Sequence, residues 1–249
     1  SRRGKPSVHK RFATLHGDAF GSSAAVLIGD LALVWSEEAL NQSGISAEQL
    51  LNLNPINAVM RSELMSGQFL DVFEHTQSDF SVERALKIAR YKSGKYSIER
   101  PLHLGAALAL PKKLDDYLNI YSEYGLPLGE AFQLRDDLLG VFGDPVETGK
   151  PAGDDLREGK RTALIAYAYD RGDSKCKSLL ERKLGKNLNK DEIEELREAI
   201  TNSGATIHIE DLIEKLSETA LDALERDEIE DGAKKMLTEM VELVTKRNR

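Results

Sequence analysis

Apolar residues recur at three- and four-residue spacing along almost the whole chain, and runs that alternate apolar with polar positions are scarce. That periodicity predicts an all-α fold. Residues 18–40 are small and apolar (Ala24, Ala25, Leu27, Ile28, Leu31, Leu33) with one acid, Asp30, inside, and read as a buried helix. Residues 55–76 read as a second helix with Pro55 near its first turn, where a missing N–H costs nothing. Shorter helices are expected at 79–95 and 101–110, separated by Pro101, then a long one at 113–142 and another at 160–171. From Gly172 the character changes. Residues 173–249 are rich in Glu, Lys, Leu and Ile and predict amphipathic helices at about 190–202, 206–226 and 231–247, punctuated by Gly204 and Gly232.

Composition narrows the picture. With 249 residues, 41% of them hydrophobic, the chain can bury a substantial core, and it has no Ser/Gly linker or long-period repeat. One domain over 1–249 is expected, with 173–249 as peripheral helices of that domain. A formal charge of −8 argues against general nucleic-acid binding, which needs a basic footprint. Cys176 is the only cysteine, so there is neither a disulfide framework nor a thiolate metal site, and a cytoplasmic, reducing setting is expected. No apolar stretch is expected to reach the length of a membrane span, so no stable membrane insertion is expected. The chain opens on Ser1 rather than Met, and its true start is expected to lie upstream.

Candidate chemistry concentrates at Phe132-Gln133-Leu134-Arg135-Asp136-Asp137-Leu138-Leu139-Gly140, followed by Gly149-Lys150 and by Gly153-Asp154-Asp155-Leu156-Arg157-Glu158-Gly159-Lys160. Two adjacent aspartates among Phe, Leu and Val need partners, because Asp is a poor helix former and is rarely buried alone. A hard cation suits a pair of hard oxygens, and Mg²⁺ commonly uses one or two protein carboxylates plus substrate phosphates. On a helix Gln133 lies one turn from Asp137, and Asp136 one turn from Gly140, so Gly140 leaves space beside Asp136. Ordinary salt bridges, for instance with Arg135, are the alternative explanation of the aspartates. The glycine-flanked Lys150 and Lys160 favour phosphate. A P-loop fails, because five residues separate Gly143 from Gly149 where four are needed, and Pro151 stands where Ser or Thr should be. Upstream, Gly67-Gln68-Phe69-Leu70-Asp71 again sets an amide and an acid three apart. Lys92-Ser93 offers a cation and a hydroxyl, and Arg2-Arg3 can fork onto phosphate oxygens.

The order of these pieces resembles the all-trans isoprenyl (polyprenyl) diphosphate synthases, the farnesyl and geranylgeranyl diphosphate synthase family. The resemblance is carried by Arg2-Arg3-Gly4-Lys5-Pro6-Ser7-Val8-His9, Gly67-Gln68-Phe69-Leu70-Asp71, Lys92-Ser93, Phe132-Gln133-Leu134-Arg135-Asp136-Asp137, Gly149-Lys150 and Lys160. It is dense to about residue 170 and rests beyond that on helical character. It implies a bundle of long helices around a deep central cavity, usually as a homodimer. The implied reaction is head-to-tail addition of isopentenyl diphosphate to an allylic diphosphate: dimethylallyl, geranyl or farnesyl. By position it implies Asp136 as the ligand of Mg²⁺ (Mn²⁺ as substitute), supported by Asp137 and Gln133. Lys92, Lys150, Lys160 and Arg2 fall to the departing diphosphate, Arg3 to isopentenyl diphosphate, and Ser93 to the place of the family's Thr near the carbocation. Gln68 and Asp71 flank the same cavity.

Two departures qualify the resemblance. The family's second motif is Asp-Asp-x-x-Asp, and its fifth position here is Gly140, so one carboxylate is lost and Mg²⁺ binding on this side is expected to weaken. The first aspartate-rich motif and the upstream basic motif are expected before Ser1, and a chain that began at Ser1 would be inactive. A non-catalytic or regulatory subunit of a heteromeric synthase is therefore the competing reading. A class I terpene cyclase lacks support, because no Asn/Asp-x-x-Ser-x-x-x-Glu motif is present. Small residues in 18–40 lean towards geranylgeranyl diphosphate as product, although close helix packing explains them equally. The basic end Lys246-Arg247-Asn248-Arg249 reads as a solvated tail, with closure over the substrates as the alternative that the resemblance implies.

Overall fold

The computed structural model describes residues 5–145 and 153–246. Among them there is no strand, and the expected all-α architecture holds. The chain forms two compact units, one through Leu51 and one from Asn52 onward. In the first, α1 (Val8–His16) lies against α2 (Asp18–Asn41). Their contact is tight at Gly21, where a Cβ would stand 2.8 Å from the backbone nitrogen of Ala13.

Two expectations about α2 need correction. It is not a buried helix: Gly21 is its one buried residue, and Val26, Leu27, Val34 and Trp35 are exposed. Its apolar composition signals a surface that something covers, and within this unit only α1 packs on it. At 24 residues α2 is also long and apolar enough, by length and composition, to cross a membrane. Asp30 interrupts the apolar run without shortening the helix. A single helix of this kind does not indicate membrane insertion.

The second unit is organised by α6 (Leu114–Phe142). Ile120, Tyr124, Leu128, Ala131, Leu134, Leu138 and Val141 are buried along it at three- and four-residue spacing. The first half of this stripe packs with the last turn of α11 (Ala205–Asp222) and with α12 (Asp231–Thr245). The Tyr124 hydroxyl donates to the Leu237 carbonyl of α12 at 2.8 Å. The second half packs with α8 (Ala163–Arg171), α9 (Ser174–Lys183), α10 (Lys190–Asn202) and the start of α11. A capping box between Asn189 and Glu192 fixes the start of α10.

On the other side of α6, helix α3 (Ala47–Glu74) faces a continuous rod made of α4 (Val82–Ile88), a π-helical stretch (Ala89–Glu99) and α5 (Arg100–Ala109). Pro55 sits inside α3 rather than in its first turn. Pro101 does not separate two helices: it stands at the start of α5 inside that rod, which runs on past the missing N–H. The sequence pattern also passed over α1 and α9. α9 is short, and its apolar positions are interleaved with Lys and Arg.

The π-helical stretch is clamped by glycines. A Cβ on Gly67 of α3 would stand 2.6 Å from the carbonyl carbon of Tyr91, one on Gly129 of α6 2.5 Å from Cα of Gly94, and one on Gly125 2.8 Å from Cα of Glu99. Side chains would hold these backbones apart. A shielded ionic network ties the same stretch to its neighbours. Glu63 of α3 accepts from Lys95 at 2.7 Å and from both the Nε and Nη2 of Arg100 at 2.8 Å. Ser122 of α6 donates to Glu99 at 2.7 Å and sits 3.1 Å from Nε2 of His103. Removing Glu63 leaves two poorly solvated cations without their main counter-charge. Glu63→Ala is expected to lose about 3 kcal/mol of stability in urea unfolding, whereas Met65→Ala, on an exposed part of the same helix, is expected to lose far less.

Candidate active site

Asp136 and Asp137 sit on the last turns of α6 but face different surroundings. Asp137 falls beside the buried stripe and is itself only 3% exposed, whereas Asp136 is partly exposed. Gln133, one turn earlier, donates its Nε2 to Asp137 Oδ1 at 2.8 Å, as the helical spacing predicts. The backbone N–H of Ala163, at the start of α8, also bonds to the Asp137 carboxylate. Burial is the main force on this acid and pushes its pKa up to about 7, with the charges of Asp155 and Asp136 adding to the rise. The Gln133 and Ala163 hydrogen bonds pull in the opposite direction.

Arg135 does not pair with either aspartate. Its Nη1 and Nη2 fork onto Glu210 of α11 at 2.7 and 2.6 Å, and its Nε donates to the Thr245 carbonyl of α12 at 2.7 Å. This removes Arg135 as the salt-bridge partner that the sequence offered. The aspartates belong instead to a constellation completed by α7 (Asp154–Glu158).

α7 is short and bracketed by left-handed glycines, Gly153 at φ 67° and Gly159 at φ 74°. Gly159 turns the chain so that the Lys160 N–H donates to the Asp155 carbonyl at 3.0 Å. The Lys160 ammonium then closes onto the Asp155 carboxylate, with Glu158 at 3.1 Å. Burial disfavours the charge on Lys160, but Asp155 and Glu158 outweigh it and hold its pKa above the usual lysine range. Asp155 is buried and lies directly against Gly140. The space expected beside Asp136 is therefore filled, because the side chain of Asp155 occupies it.

The other expected residues gather across the helix interface. Lys92, in the π-helical stretch, pairs with Asp71 of α3 at 2.5 Å, and Ser93 beside it is buried. Gln68 lies on an exposed turn of α3, three residues before Asp71. An open, mainly apolar groove of about 510 Å³ runs alongside, lined by Met65, Phe69, Leu70, Lys87 and Tyr91. The Gly94–Gly129 contact links this group to the aspartates, with Ser93 immediately before the contact and Gln133 one turn after it. Arg2, Arg3 and Lys150 lie outside the described residues.

Among the described residues, no group of three His, Cys, Asp or Glu side chains is placed to hold a metal by itself. A hard cation can take one or two protein carboxylates and complete its shell from phosphate oxygens and water. The donors here are all carboxylate oxygens, with ammonium groups beside them to meet a polyanion.

The Asp137 geometry carries a pH signature. Its folded pKa lies above the ordinary value of 3.8, so its stabilising contribution is complete below about pH 4 and is lost as pH rises through about 7. Without divalent cations, Asp137→Asn is expected to unfold at a higher temperature than wild type at pH 8. The two midpoints are expected to converge towards pH 4, as followed by circular dichroism.

The comparisons agree with the geometry. The sequence profile of the polyprenyl synthetase family matches residues 1–201. A geranylfarnesyl diphosphate synthase of Aeropyrum pernix is 31% identical over 99% of this chain and 74% of its own length. A geranylgeranyl diphosphate synthase of Saccharolobus solfataricus is 30% identical over 90% of this chain, which spans 64% of that relative. Among solved structures, geranylgeranyl pyrophosphate synthase from Corynebacterium glutamicum, complexed with isoprenyl diphosphate and magnesium, superimposes with a TM-score of 0.90 at 39% identity. That match covers 99% of this chain and 71% of the other. Paired aspartates on a long helix, a lysine closing from the next turn and a profile match over most of the chain lead to one assignment: the chain belongs to the polyprenyl synthetase family of prenyltransferases.

Proposed function

We propose that the whole protein condenses isopentenyl diphosphate head to tail with an allylic diphosphate (dimethylallyl, geranyl or farnesyl), with geranylgeranyl diphosphate as product. The observation that carries this reading is the polar face of α6 where Gln133 and Asp136 lie over the buried Asp137, with Lys160 following and Lys92 across the Gly94–Gly129 contact. Magnesium held by Asp136, with Asp137 in support and manganese as a substitute, supplies Lewis acidity towards the diphosphate.

The chain's own residues do the rest. Lys92, Lys150, Lys160 and Arg2 meet the negative charge that builds on the departing diphosphate as the allylic C–O bond breaks. Asp71 and Asp155 hold Lys92 and Lys160 in the absence of that anion, so both lysines stay positioned. Arg3 binds isopentenyl diphosphate, whose double bond attacks the allylic cation. The hydroxyl of Ser93 lies near that cation, and Gln68 and Asp71 flank it. Loss of a proton to the released diphosphate closes the cycle, so no side-chain base is required. Gln133 keeps Asp137 in place through its 2.8 Å hydrogen bond.

Three further parts of the reading rest on the same chain. The exposed apolar surface of α2 supports a homodimer. Cys176, buried as a free thiol, fits a cytoplasmic setting. Both compact units are taken as parts of one synthase domain. The product is favoured by the geranylgeranyl diphosphate synthases among the relatives.

Incubating the full-length protein with isopentenyl diphosphate, Mg²⁺ and each allylic primer, with mass detection of products, tests the reading. Elongation to geranylgeranyl diphosphate is expected. No product from any primer with a folded protein would overturn it in favour of a non-catalytic subunit. Lys160→Ala is expected to lower kcat by about two to three powers of ten while leaving the far-ultraviolet spectrum unchanged.

A further inference from the structure

We infer that six side chains around the π-helical stretch form one closed ring, and that this ring is a positioning device for Lys92 and Ser93. The inference rests on the synthase reading above and names residues that act through that site, not in it. The ring runs through Glu63, Lys95, Glu99, Ser122, His103 and Arg100. Lys95 donates to Glu63 and lies 3.4 Å from Oε2 of Glu99. Ser122 donates to Oε1 of Glu99 at 2.7 Å. Arg100 closes the circuit, with Nη2 on Glu63 and Nη1 3.0 Å from Nδ1 of His103. A guanidinium only donates, so Nδ1 accepts and the His103 proton sits on Nε2. That nitrogen lies 3.1 Å from the Ser122 hydroxyl, which can accept because its own proton goes to Glu99.

Two cations face two anions around the ring. Burial outweighs the pull of Glu99 and holds the His103 pKa below the usual histidine value, so the imidazole adds no third cation. Glu99 and His103 are each 2% exposed, and water has little access to replace a missing partner. Oε2 of Glu99 accepts no hydrogen bond among the described residues; Lys95 at 3.4 Å and Nε of Arg100 at 3.8 Å answer its charge. The ring also sits where it can set the direction of Lys92. Lys95, Glu99 and Arg100 pin the end of the π-helical stretch, and Arg90, paired with Glu130 of α6, pins its start. Lys92 and Ser93 lie between the pins. A π-helix bonds residue i to i+5, so relaxation to ordinary α-helical bonding would turn the side chains within the stretch. Helix α3 meets the stretch through two ionic rungs, Glu63 with Lys95 and Asp71 with Lys92, on either side of Gly67. The first rung is the more buried, its side chains 17% and 12% exposed against 26% and 30%. It holds the backbone under Lys92 independently of the Asp71 pair.

The experiment measures kcat and KM of the full-length protein with isopentenyl diphosphate, Mg²⁺ and the allylic primer that wild type elongates fastest. Ser122→Ala cuts the ring between Glu99 and His103, and Glu63→Gln cuts it on the α3 side with little change of shape. Both are expected to lower kcat by about tenfold or more while leaving KM for isopentenyl diphosphate unchanged. In a Lys92→Ala background the same substitutions are expected to lower kcat by less than about twofold, because the lysine they misplace is already gone. Amide hydrogen exchange across residues 89–99 is expected to quicken in both ring variants, with exchange in α10 unchanged. Wild-type kcat or wild-type exchange in both variants would overturn the inference. So would an equal fractional loss of kcat with and without Lys92, which would leave the ring as a stabilising network only. Wild-type protein that elongates no primer would overturn the synthase reading, and this inference with it.

Discussion

Close approach of backbones at glycine is the constraint on which the second unit depends. Gly67 lets α3 touch the π-helical stretch at Tyr91 and Lys92, Gly129 lets α6 touch the same stretch at Gly94, and Gly140 admits Asp155 from α7. Each contact lies close to polar or charged side chains of the candidate site: Gln68 and Asp71, Lys92 and Ser93, Gln133, Asp136 and Asp137. A helix pair separated by ordinary side chains stands 8–10 Å apart at its axes. Glycine-to-glycine contact at Gly94 and Gly129 removes that layer. The glycines cost helix propensity at each place, and the buried stripe along α6 offsets that cost.

The polar groups are then held by one another rather than by solvent. Lys92 leans on Asp71 and Lys160 on Asp155, while Gln133 and the Ala163 N–H fix Asp137. In each pair the ammonium is fixed in position by a carboxylate. The ionic network of Glu63, Lys95, Glu99 and Arg100 does the same for the π-helical stretch, anchoring an unusual backbone from three helices. Stretches of π-helix are rare and concentrate at functional positions; this one carries both Lys92 and Ser93.

Much of this was legible in the chain. The three- to four-residue period located α2, α3, α6, α8, α10, α11 and α12 to within a few residues, except at the start of α3. The spacing of Gln133 to Asp137 foretold their hydrogen bond. Pro55 and Pro101 misled, because a proline marks a missing donor and not by itself the end of a helix. The apolar run of α2 was read as buried; composition reports that a surface prefers a cover, not which part of an assembly provides it.

What the sequence determined by itself is therefore local and chemical: helices from periodicity, turns from Gly153 and Gly159, and a phosphate- and metal-oriented set of acids, amides and lysines from their types and order. Tertiary structure decided which of these meet. Arg135, adjacent in sequence to both aspartates, turns away to Glu210 and Thr245, whereas Asp155, fifteen residues beyond Gly140 in the numbering, fills the gap beside it. Side-chain direction on a helix follows from spacing, but contact between helices depends on how closely two backbones approach. That distance is set by residues, here glycines, whose contribution is the absence of a side chain and so leaves no chemical mark in the sequence.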